Sequence, residues 1–297
     1  MRVLISGASG LLGRSLVRAL RNTAHQPTAM VRREPGNSEL QWDPKQRLDP
    51  ARLAGYDALV HLAGRNVAGR WTAEFKRELL ESRVEGTRTV ATAAAESYKS
   101  TGNPRILLAA SAVGYYGNRG DELLTEESPP GKGFLAEICK PWEAATVPAR
   151  EAGIRVVSLR IGVVLARDGG ALKPMLLPFR LGLGGRIGSG KQYWSWIALD
   201  DVVAAMVFAL EHDRLEGPVN IVGPAPVQNA DFVRALGRVL HRPVIFPVPE
   251  FVIRMLLRDM GKELLLTSER VLPKKLQAAG FEFRHRNLDE ALRAALQ

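Results

Sequence analysis

The feature that most constrains this chain stands at its start: Ser6-Gly7-Ala8-Ser9-Gly10-Leu11-Leu12-Gly13. It follows a short apolar run, 3–6, and opens a segment with helical spacing, 11–22. A Cβ at the glycines would hold the backbone away from a ligand's pyrophosphate, and one of these positions calls for positive φ. Amides at the start of a helix, reinforced by the helix dipole, meet a diphosphate directly. With a strand before it and a helix after it, the pattern reads as the first βαβ unit of a dinucleotide-binding fold. It assigns Gly7, Ser9, Gly10, Leu11, Leu12 and Gly13 to the phosphate cradle.

The rest of the first 160 residues agrees with that start. Apolar runs at 3–6, 28–31, 58–62, 106–110 and 154–161 alternate with helical segments at 11–22, 73–98 and 136–152. Continuous apolar strands separated by amphipathic helices predict an α/β fold, a doubly wound parallel sheet covered on both faces. Beyond residue 166 the texture changes. A Gly-rich stretch (181–190) precedes helices predicted at 200–211 and 229–240 and a strand at 218–222. Helices at about 250–266, 268–279 and 288–296 complete the chain. The expected organisation is a dinucleotide-binding domain (1–166, its sheet open to later strands), a substrate lobe interleaved with it (167–242) and a small helical C-terminal domain (243–297).

The end of the second strand selects the dinucleotide. An acid there would bind the ribose 2′-hydroxyl of NAD. This chain has Arg32-Arg33, whose guanidinium forks suit a 2′-phosphate. NADP(H) is therefore favoured over NAD, with Arg32 the better placed; Arg33 or Arg32 pairing with Glu34 would weaken that preference. Leu62-Ala63-Gly64 ends another strand where small residues let the adenosine half pack closely.

Composition removes other classes. The 41 Lys and Arg against 31 Asp and Glu leave a net charge of +10. The basic residues are scattered and no run of four occurs, so nucleic acid is not expected as a partner. One cysteine rules out an intrachain disulfide and a Cys-based zinc cluster, and the five histidines share no ligand spacing, so no metal is expected. The longest central apolar stretch, 197–210, contains Asp200 and Asp201 and is too short to span a bilayer. A cytoplasmic protein is expected, acting on a small molecule and free to form a homodimer.

These residues resemble the extended short-chain dehydrogenase/reductase superfamily, the fold of nucleotide-sugar epimerases and dehydratases. The matching pieces are the three glycines, His61-Leu62-Ala63-Gly64, Ala110-Ser111-Ala112-Val113-Gly114-Tyr115-Tyr116-Gly117, Leu159-Arg160 and Trp196-Ile197-Ala198-Leu199-Asp200-Asp201-Val202. More narrowly the chain is similar to the atypical epimerase-family proteins, through Arg70-Trp71-Thr72, Ser82-Arg83, the stretch 177–185 and Ile187-Gly188-Ser189-Gly190. Those proteins end in a C-terminal domain of unknown role. The resemblance implies NADP-dependent oxidoreductase or epimerase (isomerase) chemistry, and it adds Arg83 to the cofactor contacts.

The superfamily's catalytic set is a Ser or Thr with a Tyr-x-x-x-Lys pair one helical turn apart. Ser111 takes the serine's place. None of the five tyrosines is followed four residues later by lysine, and Lys140 has Ala136 where the tyrosine belongs. Three readings stand. Tyr115 or Tyr116 supplies the phenol, aided by Lys140 or Arg119; Glu137 acts as base; or the protein binds NADPH as a non-catalytic sensor or partner-binding protein. Arg180, Arg186 and Lys191, followed by Trp194, form a candidate lid for an anionic or sugar-like substrate.

Overall fold

The computed structural model describes residues 1–297. Seven strands form one wholly parallel sheet: β1 (Arg2–Ser6), β2 (Gln26–Val31), β3 (Glu39–Gln41), β4 (Ala58–His61), β5 (Ile106–Ala112), β6 (Arg155–Ile161) and β7 (Gly217–Ile221). Their spatial order is β7-β6-β5-β4-β1-β2-β3. The order reverses between β1 and β4, and open α/β sheets place ligands outside the carboxyl ends of the strands at such a point. The short strand β3 was not anticipated from the sequence.

Alternation along the strands divides the core. Val3 and Ile5 of β1, with Leu108, Val157 and Val219, face α1 (Leu11–Arg21) and, later in the chain, the helix Leu199–Glu211. Leu4, Leu59, Leu107 and Val156 face the other way, onto α2 (Ala73–Thr101), which buries Val90, Ala91 and Ala94 there. Leu16 and Leu20 of α1 are wholly buried. At about 1.5–3 kcal/mol for each such side chain, this packing, rather than the propensity of an 11-residue helix, holds α1 in place. The doubly wound parallel sheet is thus the observed architecture.

The predicted helix 136–152 is two helices, α3 (Phe134–Ala144) and α4 (Val147–Glu151), divided at Ala145-Thr146, with Pro148 in the first turn of α4. Proline fits a first turn because its missing N–H has no helical partner there anyway. An unpredicted helix, α5 (Leu172–Arg180), tolerates Pro178 within it. The chain continues through α6 (Leu199–Glu211), α7 (Asn229–Leu240), α8 (Glu250–Gly261), α9 (Lys274–Ala278) and α10 (Leu288–Leu296). A second core joins α5, α7 and α10 to a three-stranded sheet of Trp196–Ala198, Val163–Ala166 and Gly169–Gly170.

The final segment builds no core of its own. Leu276, Phe281 and Phe283 join the cluster under the main sheet, and Leu288, Ala291 and Leu292 join the second core. The predicted helix 268–279 is mostly something else: Arg270–Val271 is a strand parallel to Leu123–Leu124, and only Lys274–Ala278 is helical. Backbone demand decides this, because Ser195 Oγ and Leu124 O take up the amides of Val271 and Leu272. No helix of the chain is long and apolar enough to cross a membrane.

Candidate active site

The three glycines are required by the backbone around them. Gly7 has φ +70°, and a Cβ on it would stand 2.7 Å from the Leu62 carbonyl carbon. A Cβ on Gly13 would stand 2.2 Å from Gly7 O. The first turn of α1 therefore lies directly against the loop after β1. No side chain caps α1 and no acid occupies its first turn, while Arg18 and Arg21 lie in its last. Its first amides are left for an anion, at the positive end of the helix. Ser9 and Gly10 are exposed at that mouth, and Leu11 and Leu12 are half-buried beneath it.

Facing α1 across the switch point, Leu62, Ala63 and Gly64 leave β4, with Gly64 exposed. Below them Ser6 Oγ and His61 Nδ1 share a 2.7 Å hydrogen bond that ties β1 to β4, and burial pushes the imidazole down to about 4. At the end of β2, Arg33 makes two 2.7 Å hydrogen bonds to Glu39 and a third to the carbonyl of Glu34. Glu34's carboxylate takes neither arginine. Arg33 is thus paired with β3, whereas Arg32 is exposed and without a partner.

Arg83 projects from α2 toward Gly64, its side chain 3.7 Å from where a Cβ on that glycine would stand. It donates to Leu79 O, lies 5.0 Å from the Trp142 ring and has no carboxylate partner. Burial lowers its pKa from the usual guanidinium value.

At the carboxyl end of β5 the arrangement departs from expectation. Ser111 is buried and donates to Glu143 Oε1 at 2.7 Å. Glu143, from α3, grips Arg160 of β6 through two bonds of 2.8 and 2.9 Å. Arg160 donates onward to the Tyr116 hydroxyl (2.9 Å), which donates to Asn220 Oδ1 of β7 (2.7 Å). Burial opposes the Arg160 charge, and Glu143 more than restores it, so the guanidinium stays above its usual range. Burial also pushes the Tyr116 phenol up to about 12, with Arg160 partly offsetting it. This buried chain cross-links β5, β6, β7 and α3. It corrects two expectations, since Ser111 and Tyr116 are committed to it and present no free hydroxyl.

Tyr115 remains. Its ring is half-buried under Arg160, whose guanidinium carbon lies 3.5 Å from the ring centroid, and its hydroxyl makes no hydrogen bond. Lys140 is exposed and unpaired, and Glu137 is exposed too. The α3 side chains at the end of β5 are instead Leu135 and Cys139: Leu135 Cβ lies 2.9 Å from where a Cβ on Gly114 would be, and Cys139 Sγ approaches Ala112 O at 3.8 Å. Lys140 is therefore set aside as a catalytic residue. Arg119 is engaged with Glu122 at 2.8 and 2.6 Å and is set aside as well.

The predicted substrate lid is not assembled as one surface. Trp194 is buried in the second core, edge-on to Phe232 at 5.1 Å, and this corrects its assignment to substrate. Arg186 folds back on its own loop, donating to Gly188 O and Ser189 O. Arg180 and Lys191 are exposed. The residues sequence reasoning missed are Glu143, Arg160 and Asn220. Only Leu159-Arg160, an arginine ending an apolar strand, pointed toward them.

Residues 3–222 match the family described as NAD dependent epimerase/dehydratase, and residues 248–295 match a domain of unknown function, DUF1731. The epimerase family protein MT2273 of Mycobacterium tuberculosis is 45% identical over 293 residues, covering 98% of this chain and 96% of that protein. The epimerase family protein SDR39U1 of Bos taurus is 39% identical over 303 residues, covering 100% of each. Among solved structures, human epimerase family protein SDR39U1 (isoform2) with NADPH superposes with a TM-score of 0.90 at 34% identity, covering 100% of this chain and 99% of that one. A nucleoside-diphosphate sugar epimerase from Corynebacterium glutamicum superposes at 0.82 with 36% identity, covering 100% of this chain and 58% of that one. The parallel sheet, the glycine cradle at its switch point and these matches together place the chain in the NAD dependent epimerase/dehydratase family.

Proposed function

We propose that this protein binds NADPH in the crevice between β1 and β4 and uses it in oxidoreductase or epimerase chemistry on a small carbonyl- or hydroxyl-bearing molecule, sugar-like or anionic. The observation that carries the reading is the free guanidinium of Arg32 beside a glycine cradle that admits no side chain. The uncapped start of α1 holds the diphosphate, Arg32 the 2′-phosphate, and Leu62 to Gly64 the adenosine half. Arg83, half-buried and lacking a carboxylate, suits a phosphate or ribose hydroxyl of the same ligand. The relative solved with NADPH supports the choice of dinucleotide. When bound, the nicotinamide supplies a two-electron hydride exchange. A cytoplasmic location and a homodimer accord with this reading.

Titration of the purified protein with NADPH and NADH tests it. NADPH should bind at least tenfold more tightly, and Arg32→Glu should remove that preference while leaving NADH affinity within about threefold. The loss corresponds to about 1.5–3 kcal/mol for a hydrogen bond to a charged group. Equal affinities in the unaltered protein would refute the assignment.

The absence of Tyr-x-x-x-Lys, with Ser111 and Tyr116 committed elsewhere, favours a second reading: a NADPH-binding sensor without turnover. It requires affinity for a partner to differ between the NADPH and NADP⁺ forms. Stoichiometric oxidation of NADPH by any carbonyl substrate would end it.

A further inference from the structure

The exposed apolar residues of this chain and its excess charge fall in the same place. Of nine large apolar side chains that stand more than half exposed, eight lie in two segments, 172–191 and 241–262. Leu177, Leu181 and Leu183 belong to the first. Ile245, Phe246, Phe251, Met255 and Leu256 belong to the second. The first segment has four Lys and Arg and no acid; the second has four Lys and Arg and two acids, so the pair holds six of the net charge of +10.

The two segments are joined along their backbones. Arg242 Nε donates to Arg180 O at 2.9 Å, Val248 N to Arg186 O at 2.8 Å, and Gly188 N to Val248 O at 2.8 Å. A Cβ on Gly185 would stand 1.6 Å from Phe246 O, so the chains touch there as well. Leu172 and Phe179 of α5 and Ile253 of α8 turn inward to the same second core. The outer faces mix apolar and cationic residues. Along α5 and its C-cap, Lys173, Leu177 and Leu181 recur at every fourth residue; on α8, Phe251 and Met255 do so beside Arg254 and Arg258.

The two acids of this face are already answered. Glu250 accepts from Arg254 at 2.7 Å, and Asp259 pairs with Lys76 of α2. Lys173, Arg180, Arg258 and Lys262 are exposed and have no carboxylate partner.

We propose that this face seats the protein on an anionic lipid surface. The proposal is independent of the NADPH reading. Helices that carry apolar side chains among Lys and Arg on one face lie at the boundary of headgroups and acyl chains, and anionic headgroups attract each cation. Ile245 and Phe246, exposed between Pro243 and Pro247, supply a stiff apolar tip for that boundary. A second copy laid on this face about a two-fold axis would oppose its positive charge to itself. The core of a protein–protein interface is depleted of lysine, whereas Lys173 shares one stripe with Leu177 and Leu181.

The end of α8 and the turn after it reach the carboxyl edge of the main sheet. Met260 Sδ accepts from Gly69 N at 3.5 Å, beyond β4, and Glu263 accepts from Leu135 N at 3.3 Å, beyond β5. Docking through α8 therefore keeps the edge that carries the candidate site close to the lipid.

Flotation of the full chain with large unilamellar vesicles tests this. Vesicles of phosphatidylcholine with about 30% phosphatidylglycerol should bind it at least about tenfold more tightly than phosphatidylcholine alone, and salt at about 0.5 M should weaken that binding. The variant Phe246→Ser/Phe251→Ser/Met255→Ser should lose at least about tenfold in affinity for the anionic vesicles. Its melting temperature should not change, because all three side chains are exposed. Leu123→Ser, which alters the one such residue outside the face, should bind as the unaltered protein does. No preference for the anionic vesicles, or equal affinity in the triple variant, overturns the proposal. A dimer in sedimentation velocity that the triple variant loses, without vesicle binding, gives the face to a second copy and overturns it as well.

Discussion

Arg160→Met removes the centre of the buried polar chain that closes the sheet beside the site. The side chain of Arg160 is 3% exposed and that of Glu143 16%, so solvent cannot replace the lost partner. The change deletes the two bonds to Glu143 and the one to Tyr116, leaving a buried carboxylate with Ser111 Oγ as its remaining donor. Breaking such a pair costs about 3–5 kcal/mol, because one charge stays buried without compensation. At roughly 2–3 °C per kcal/mol for a chain of this size, the thermal midpoint should fall by about 6–15 °C. Urea unfolding followed by circular dichroism gives the free energy directly. Glu143→Leu alone should lose a comparable amount. The double variant Glu143→Leu/Arg160→Met should lose no more than either single change, an interaction energy of at least about 3 kcal/mol. Single variants within about 1 kcal/mol of the unaltered protein, or additive losses, would refute the claim that these residues act as one structural unit.

Four further outcomes follow from the structure. Ser111→Ala should cost about 1–2 kcal/mol through Glu143's lost donor and leave NADPH affinity within twofold; a tenfold affinity loss in direct titration would return Ser111 to the ligand site. Gly13→Ala, whose Cβ would stand 2.2 Å from Gly7 O, should abolish dinucleotide binding and lower the melting temperature, since the helix start must move off the loop. Gly102→Ala has open space around it but φ +73°, so it should cost about 1 kcal/mol and spare binding, which makes it the control. For His61, the folded value of about 4 lies below the ordinary 6.5, so the unfolded chain binds the extra proton between them. Its contribution is fully present above pH 6.5 and is lost as pH falls toward 4, by about 3 kcal/mol in all. Urea unfolding at pH 7.5 and 4.5 should show that slope, and His61→Asn should flatten it.

The parts legible in the sequence are those whose causes lie close together along the chain. The cradle is set by residues 6–13, and the strands by unbroken apolar runs. Ser111 was readable as the residue ending β5, but not as an occupied one: its acceptor Glu143 is 32 residues on and the guanidinium behind it lies on another strand. Tyr116 was readable as an aromatic near the site, yet its acceptor Asn220 is 104 residues away. Trp194 follows the Gly-rich basic loop, and only the position of Phe232 shows that it faces the core. The segment 268–273 is the costliest misreading. Its apolar spacing allowed a helix, and its amides instead answer Tyr193, Ser195 and Leu124.

A crystal structure of this protein grown with NADPH tests the central claim most directly. The account predicts the diphosphate on the amides at the start of α1 and the 2′-phosphate within about 3 Å of the Arg32 guanidinium, with the Arg33–Glu39 pair intact. A dinucleotide bound outside the β1–β4 crevice, or a 2′-phosphate met by other groups while Arg32 stays in solvent, would contradict it.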